Sequence, residues 1–206
     1  IGLLPMLSIQ DKPIGSWGMI AKSAFDRLVA AVALVLLSPV LAAVAIAIKL
    51  DSRGPLLFRQ NRYGFNNELI EVYKFRSMYV NQSDATASKL VTKGDPRVTR
   101  VGRLLRQFSI DELPQLWSVF AGDMSLVGPR PLSPTEFVSA TAEQRRKLSI
   151  KPGITCIWQA YGRSAITSFQ DWVDMDLEYI REWNLRLDAK ILLRTIPAVI
   201  RGSGAY

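Results

Sequence analysis

From Leu28 to Ile48 the chain reads LVAAVALVLLSPVLAAVAIAI, 21 residues without a charge. That length suffices to span the hydrocarbon of a bilayer. It is internal, too long for a signal peptide and without a cleavage-like end, and an uncharged run this long rarely fits the core of a small domain. Yet Ser38-Pro39 stands at its centre. A proline there deletes a backbone hydrogen bond and kinks the helix, and the Ser38 hydroxyl is at hand for the freed backbone group. Two arms of about ten residues, each about 15 Å long at 1.5 Å per residue, would reach mid-bilayer and return. The flanks bear on the choice. Lys22 and Arg27 precede the run; Lys49, Arg53, Arg59 and Arg62 follow it. A crossing helix carries its basic excess on one side, whereas here both ends are basic, as expected if both lie on the cytoplasmic face. Taken by itself, the run fits a slightly bent crossing helix equally well.

The chain is strongly basic, with 26 Lys and Arg against 18 Asp and Glu in 206 residues. Such an excess points to an anionic partner: nucleic acid, anionic lipid or a phosphorylated small molecule. Nucleic acid is disfavoured, because no dense basic face or reader module is present. There is no histidine and a single cysteine, Cys156. This excludes a disulfide framework and a cysteine zinc cluster, and it leaves carboxylates, Lys, Arg, hydroxyls or a hard cation to do any chemistry. Ile1, rather than Met, in first place leads us to expect a piece of a longer or processed protein.

The expected organisation is an extended linker over 1–21, a membrane helix hairpin over 22–50 and a globular part over 51–206. The fold class is α+β and mostly helical, with the kinked, re-entrant helix packed on a small domain. Two alternating apolar runs around YGFNN predict a β-hairpin from Leu56 to Met78. A polar loop follows over 81–96. Helical patterning covers Val98–Gln107, Asp111–Phe120, Glu136–Leu148, Ser168–Trp183 and Leu187–Arg201; AGDMSLVGPRPLSP reads as loop, and KPGITCIWQAYGRS as irregular or extended.

The segment FSIDELPQL sets Asp111 beside Glu112. Ser109 and Glu112 have the spacing of a capping box, and acids in a first turn suit the helix dipole. Pro114 is tolerable that early. A helix N-terminus also stabilises phosphoryl oxygens, so capping and phosphate chemistry are compatible there. Arg130, between Pro129 and Pro131, has a stiff backbone that suits a guanidinium clamping a phosphate.

Five segments in order, KSAFDRLVAAVALVLLSPVLAAVAIAIKLDSRGPLLFRQNRYG, YKFRSM, RVTRVGRLLRQFSIDELPQL, GDMSLVGPRP and KPGITCIWQAYGRS, cover the chain from Lys22 onward. Together they resemble the bacterial sugar transferases, the monotopic phosphoglycosyl transferases that start glycan assembly on polyprenyl phosphate. The opening residues look like the junction ahead of the catalytic module in longer, exopolysaccharide-initiating members. The resemblance implies an enzyme of the bacterial cytoplasmic (inner) membrane, its globular part on the cytoplasmic face. It would move a sugar 1-phosphate from a nucleoside diphosphate sugar, usually a UDP-sugar, to undecaprenyl or another polyprenyl phosphate.

In that family the aspartate of the Asp-Glu pair is the nucleophile, so Asp111 would carry the phosphosugar, with Glu112 orienting it or holding Mg²⁺. Asp111 and Glu112 are therefore also the expected metal ligands, since Mg²⁺ takes oxygen ligands from one or two carboxylates plus phosphate. Lys74, Arg106 and Arg130 would bind substrate phosphate, with Asp176, Arg163 and Gln159 as further active-site candidates. Cys156 stands where the family motif carries glycine. Membrane lipids are implied as partners, a homo-oligomer is left open, and the sugar is not specified. A non-catalytic membrane scaffold for glycan assembly is the rival expectation.

Overall fold

A computed structural model of the chain describes residues 14–82, 92, 94–161 and 168–200. The first thirteen residues of the expected linker, most of the polar 81–96 loop and Arg163 lie outside them.

Helix α1 (Ser16–Asp51) runs without interruption through Pro39, 36 residues or about 54 Å at 1.5 Å per residue. Without its N–H, Pro39 leaves the Val35 carbonyl free, and the Ser38 hydroxyl donates to that carbonyl at 2.8 Å. The residue pair expected to kink the helix thus supplies a donor for the carbonyl that it frees. One stripe of α1 is committed to the rest of the molecule along its length. Ala30 and Ile48 are buried, and Leu34, Leu37, Leu41 and Val44 pack between them. The opposite stripe, with Leu28, Val32, Val35, Leu36, Val40, Ile46 and Leu50, is exposed.

Strands β1 (Leu57–Tyr63) and β2 (Leu69–Phe75) form the expected antiparallel hairpin. Its register pairs Phe58 with Lys74, Gln60 with Val72 and Arg62 with Ile70. Side chains alternate across a strand, so Gln60, Arg62, Val72 and Lys74 share one face. Next comes α2 (Arg100–Gln107), capped by the Thr99 side chain, which accepts the Gly102 N–H at 2.9 Å. Gly102 is obligatory there, because a Cβ would lie 2.0 Å from the Ser77 carbonyl oxygen. A 3₁₀ turn, Ile110–Glu112, leads to α3 (Gln115–Ala121).

The segment expected to be loop and the one expected to be irregular or extended together contain a second sheet. Strand β3 (Ser125–Val127) pairs in parallel with β4 (Gly153–Thr155). At three residues each, they are too short to show alternation. The single helix expected over Glu136–Leu148 is split into α4 (Pro134–Ser139), α5 (Ala142–Arg145) and a 3₁₀ turn, Arg146–Ser149. The break falls where Thr141 turns extended and opens a second capping box with Gln144, after that of Ser133 and Glu136. Helices α6 (Ile157–Tyr161), α7 (Phe169–Glu182) and α8 (Leu185–Ile200) complete the described chain.

Three apolar clusters hold these elements. The largest joins α1, α3, β3 and the last two helices. The second joins the C-terminal half of α1 to Phe75 and Leu105. The third, around Leu132, Ala140 and Leu148 with Tyr63 and Phe137, contains no described residue of α1.

Both ends of α1 are fastened to this one body. At the far end, the Asp51 carboxylate accepts the Val101 N–H of α2 at 3.2 Å. At the near end, Lys22 pairs with Asp188 of α8 at 2.6 Å and faces Asp26 at 3.5 Å. Asp188 also accepts from the Tyr179 hydroxyl at 2.7 Å and the Trp183 indole at 3.1 Å. Removing one partner of a buried pair strands the other. Lys22→Met is therefore expected to lower unfolding stability by about 3–5 kcal/mol in denaturant titration in mild detergent. Adding Asp188→Leu should recover part of that loss.

Candidate active site

Asp111 and Glu112 sit in the 3₁₀ turn between α2 and α3, but not as a capping box. Ser109 is in the left-handed region, φ 52°, and its side chain makes no capping hydrogen bond. The Glu112 carboxylate accepts from Lys74 Nζ at 2.7 Å. The long-range ion pair displaces the local one. Asp111, beside it, is only 7 % exposed. Burial pushes its carboxyl up to about 6; Lys74 and Arg106 pull the other way, and the Glu112 charge adds to the rise.

Glu112 and Lys74 line an open cleft. Arg62, Arg130, Gln115 and Gln159 also line it, with Gly153 and Ile154 of the parallel sheet. The hairpin delivers Arg62 and Lys74 from its shared face, the β3–α4 loop delivers Arg130, and α6 delivers Gln159. Of the residues singled out from sequence, Lys74, Glu112, Arg130 and Gln159 thus converge on one space. Asp111 is packed next to it, within electrostatic reach of Lys74, Glu112 and Arg106. Ser38 and Pro39 lie in α1, on neither wall.

Asp176 does not line the cleft. It is 1 % exposed, pairs with buried Lys147 at 2.6 Å, and accepts the backbone N–H of Arg130. Burial raises its pKa, and Lys147 opposes the rise. Its place is beneath the Arg130 loop rather than facing the cavity. Cys156 is buried, and its thiol lies 3.3 Å from Oε1 of the cleft residue Gln159.

Arg62 was noted in the sequence only as a basic flank of the apolar run. It is 8 % exposed, and its guanidinium donates twice to Gln60 Oε1, at 2.9 and 3.1 Å, and to Glu136 at 3.4 Å. Burial and the neighbouring Arg130 charge lower its pKa to about 10, offset in part by Glu136 and Glu112, so it stays charged at neutral pH. The signal was the hairpin alternation, which puts Gln60 and Arg62 on the inward face. Lys147 had no comparable signal, because its partner is 29 residues away.

Among the described residues there is no group of three or more His, Cys, Asp and Glu side chains able to hold a metal ion. The adjacent Asp111 and Glu112 carboxylates nevertheless form the two-oxygen donor set that Mg²⁺ uses when substrate phosphates supply further ligands. The residues fit such an ion.

A family model described as bacterial sugar transferase matches residues 17–202. The chain belongs to the bacterial sugar transferase family. Among its relatives is an undecaprenyl-phosphate glucose phosphotransferase of Komagataeibacter xylinus, 45% identical over all of this chain and 40% of the relative. The UDP-glucose:undecaprenyl-phosphate glucose-1-phosphate transferase of Escherichia coli K12 is 42% identical over 98% of this chain and 45% of its own length. The exopolysaccharide production protein ExoY of Sinorhizobium fredii is 36% identical over 95% and 91%. The chain spans less than half the length of the first two, and nearly all of the third.

The raised Asp111 pKa has a consequence for stability. An ordinary aspartate titrates near 3.8 and Asp111 near 6. Between those values the folded chain binds more protons than the unfolded one, so stability falls as pH rises through that window and levels off above it. Asp111→Asn removes the penalty. It is expected to unfold at higher temperature than the parent at pH 7.5 in EDTA, by about 1–3 kcal/mol of stability, with the gap closing near pH 4.

Proposed function

We propose that this chain is the catalytic part of a membrane phosphoglycosyl transferase. It moves a sugar 1-phosphate from a UDP-sugar to polyprenyl phosphate, initiating bacterial surface glycan synthesis. The observation that carries the reading is the buried Asp111 beside the Lys74–Glu112 pair, at a cleft also lined by Arg130. The names of the relatives supply the substrate class, and those of the first two make UDP-glucose the first donor to test.

In the first half-reaction an Asp111 carboxylate oxygen attacks the sugar-linked phosphorus. The bond from that phosphorus to the bridging oxygen breaks, and UMP leaves with the electron pair. In the second, an oxygen of polyprenyl phosphate attacks the same phosphorus and the carboxylate leaves. Polyprenyl diphosphate sugar forms and Asp111 is regenerated. A carboxylate is a weak nucleophile, so the phosphoryl oxygens must be neutralised. Lys74, Arg130 and Arg106 do this. Lys74 holds Glu112 in place, and the Asp176–Lys147 pair anchors the Arg130 backbone. Bound Mg²⁺, held by Asp111 and Glu112, would add further charge neutralisation at the phosphates. The apolar stripe of α1 enters one leaflet only, a reading supported by the ties that fasten both ends of the helix to one globular body.

The pure scaffold reading keeps the fold without the chemistry. A nucleotide-sugar panel with polyprenyl phosphate and Mg²⁺ separates the two. UMP release should rise with pH with an apparent pKa near 6. Asp111→Asn should lower it by about 10³-fold or more and abolish lipid labelling, while the protein stays in the membrane fraction. Unchanged turnover would eliminate the covalent route.

Topology is tested by cysteine labelling, to which buried Cys156 contributes little background. Cysteines placed at exposed Trp17 and Arg59, on either side of the apolar run, should react with an impermeant maleimide from the same face of oriented vesicles. Reaction from opposite faces would show a crossing helix.

A further inference from the structure

The polar side chains that line the cleft divide by chemistry. Arg62, Lys74 and Arg130 can only donate hydrogen bonds, and the ionised Glu112 carboxylate can only accept them. Among the described lining residues, Gln115 and Gln159 alone have uncharged side chains able to do both. Gln159 is partly engaged, because its Oε1 takes the Cys156 thiol at 3.3 Å. Gln115 is not. It is only 4 % exposed, yet its amide makes no hydrogen bond to any described residue. A buried amide without a partner is costly, and the cleft that it lines is open to a ligand group that would complete it.

The place of Gln115 along the chain narrows what that group is. Between Ser109 and Trp117, backbone hydrogen bonds join residues three apart: Glu112 to Ser109, Leu113 to Ile110, Leu116 to Leu113 and Trp117 to Pro114, at 3.0–3.2 Å. In such a backbone, side chains three positions apart eclipse, and the rise is about 2.0 Å per residue. Gln115 therefore stands on the same edge as Glu112, about 6 Å further on, and Asp111 is the neighbour of Glu112. Under the proposed reaction, the phosphorus attacked by Asp111 carries the sugar through a single oxygen. Uracil is farther off by a second phosphate and a ribose. With the phosphates answered by cations, the nearest remaining polar group is the sugar hydroxyl beside the phosphorylated carbon. A hydroxyl both donates and accepts, which one amide can answer and a lone cation or carboxylate cannot.

We infer that Gln115 is a specificity-determining residue that hydrogen-bonds the 2-hydroxyl of the transferred sugar. The inference rests on the transferase reading and adds to it a side chain that reads the sugar rather than the phosphates or the nucleoside.

UMP release by the intact chain in detergent, with undecaprenyl phosphate and Mg²⁺, tests it on UDP-glucose against UDP-2-deoxyglucose. Isothermal titration with UDP reports the nucleotide alone. One hydrogen bond between neutral groups corresponds to about fivefold, and the parent is expected to prefer UDP-glucose in kcat/KM by about that factor or more. Gln115→Met should bring the two donors within about twofold by slowing UDP-glucose, and should leave UDP affinity within about twofold. It should unfold at no lower temperature than the parent, because it removes an unpaired amide from a buried position. Gln115→Asn, whose amide is one methylene short, guards against misfolding of the methionine variant and should narrow the preference as well. A preference absent in the parent, or intact in a folded Gln115 variant, overturns the inference. So does an equal loss of UDP affinity, which would move the contact to the nucleotide, or a marked fall in unfolding temperature, which would reveal a structural partner. Failure of the parent to release UMP from any UDP-sugar would instead overturn the transferase reading, and this inference with it.

Discussion

One constraint organises the molecule: α1 must satisfy two environments at once, and along its whole length. Its outward stripe carries bare apolar side chains, while its inward stripe is fixed to a single body by the Lys22–Asp188 pair at one end and the Asp51 carboxylate at the other. A helix about 54 Å long that is anchored at both ends positions whatever is packed beneath it. Hairpin residue Phe75 and α2 residue Leu105 pack on its far half, and α3 and β3 on its near half. The cleft forms where those groups meet the Leu132 cluster.

Within that frame the 3₁₀ turn places a carboxylate where it is poorly solvated and only partly compensated. Burial raises the Asp111 pKa more than the Lys74 and Arg106 charges lower it. The result is an acid that ionises just below neutral pH, retains basicity that an exposed aspartate lacks, and sits beside a cleft lined by Arg62, Lys74 and Arg130. The stability penalty and the reactivity we propose for Asp111 would arise from the same desolvation. The left-handed Ser109 opens the turn that carries Glu112 to Lys74.

Much of this was legible in the sequence where the signal is local or periodic. The hairpin was read from alternation, α7 and α8 from helical spacing, and the Ser38 repair from the chemistry of proline. Convergence of Lys74, Glu112 and Arg130 was expected from the resemblance to a family, and the cleft brings them together. What escaped depends on contacts far apart in the chain. The capping box at Ser109 had the right residues, but an ion pair across 38 positions took its glutamate. Two three-residue strands leave no period to detect. Lys147 carries no local mark of its burial, because its partner Asp176 lies 29 positions away, whereas the inward turn of Arg62 is written in the hairpin alternation.

The meeting of the two short strands has a last implication. A Cβ at Gly153 would fall 2.1 Å from the Gly128 nitrogen, and one at Gly128 would fall 2.5 Å from the Lys151 carbonyl oxygen. Backbone therefore slots against backbone directly behind Arg130, with no side chain to act as a cushion. Tolerance in that joint is smaller than a methyl group. Drift in the α6 arm would be handed to the arginine almost undamped, so the β3–β4 seam behaves as a gauge block that sets how far the guanidinium projects.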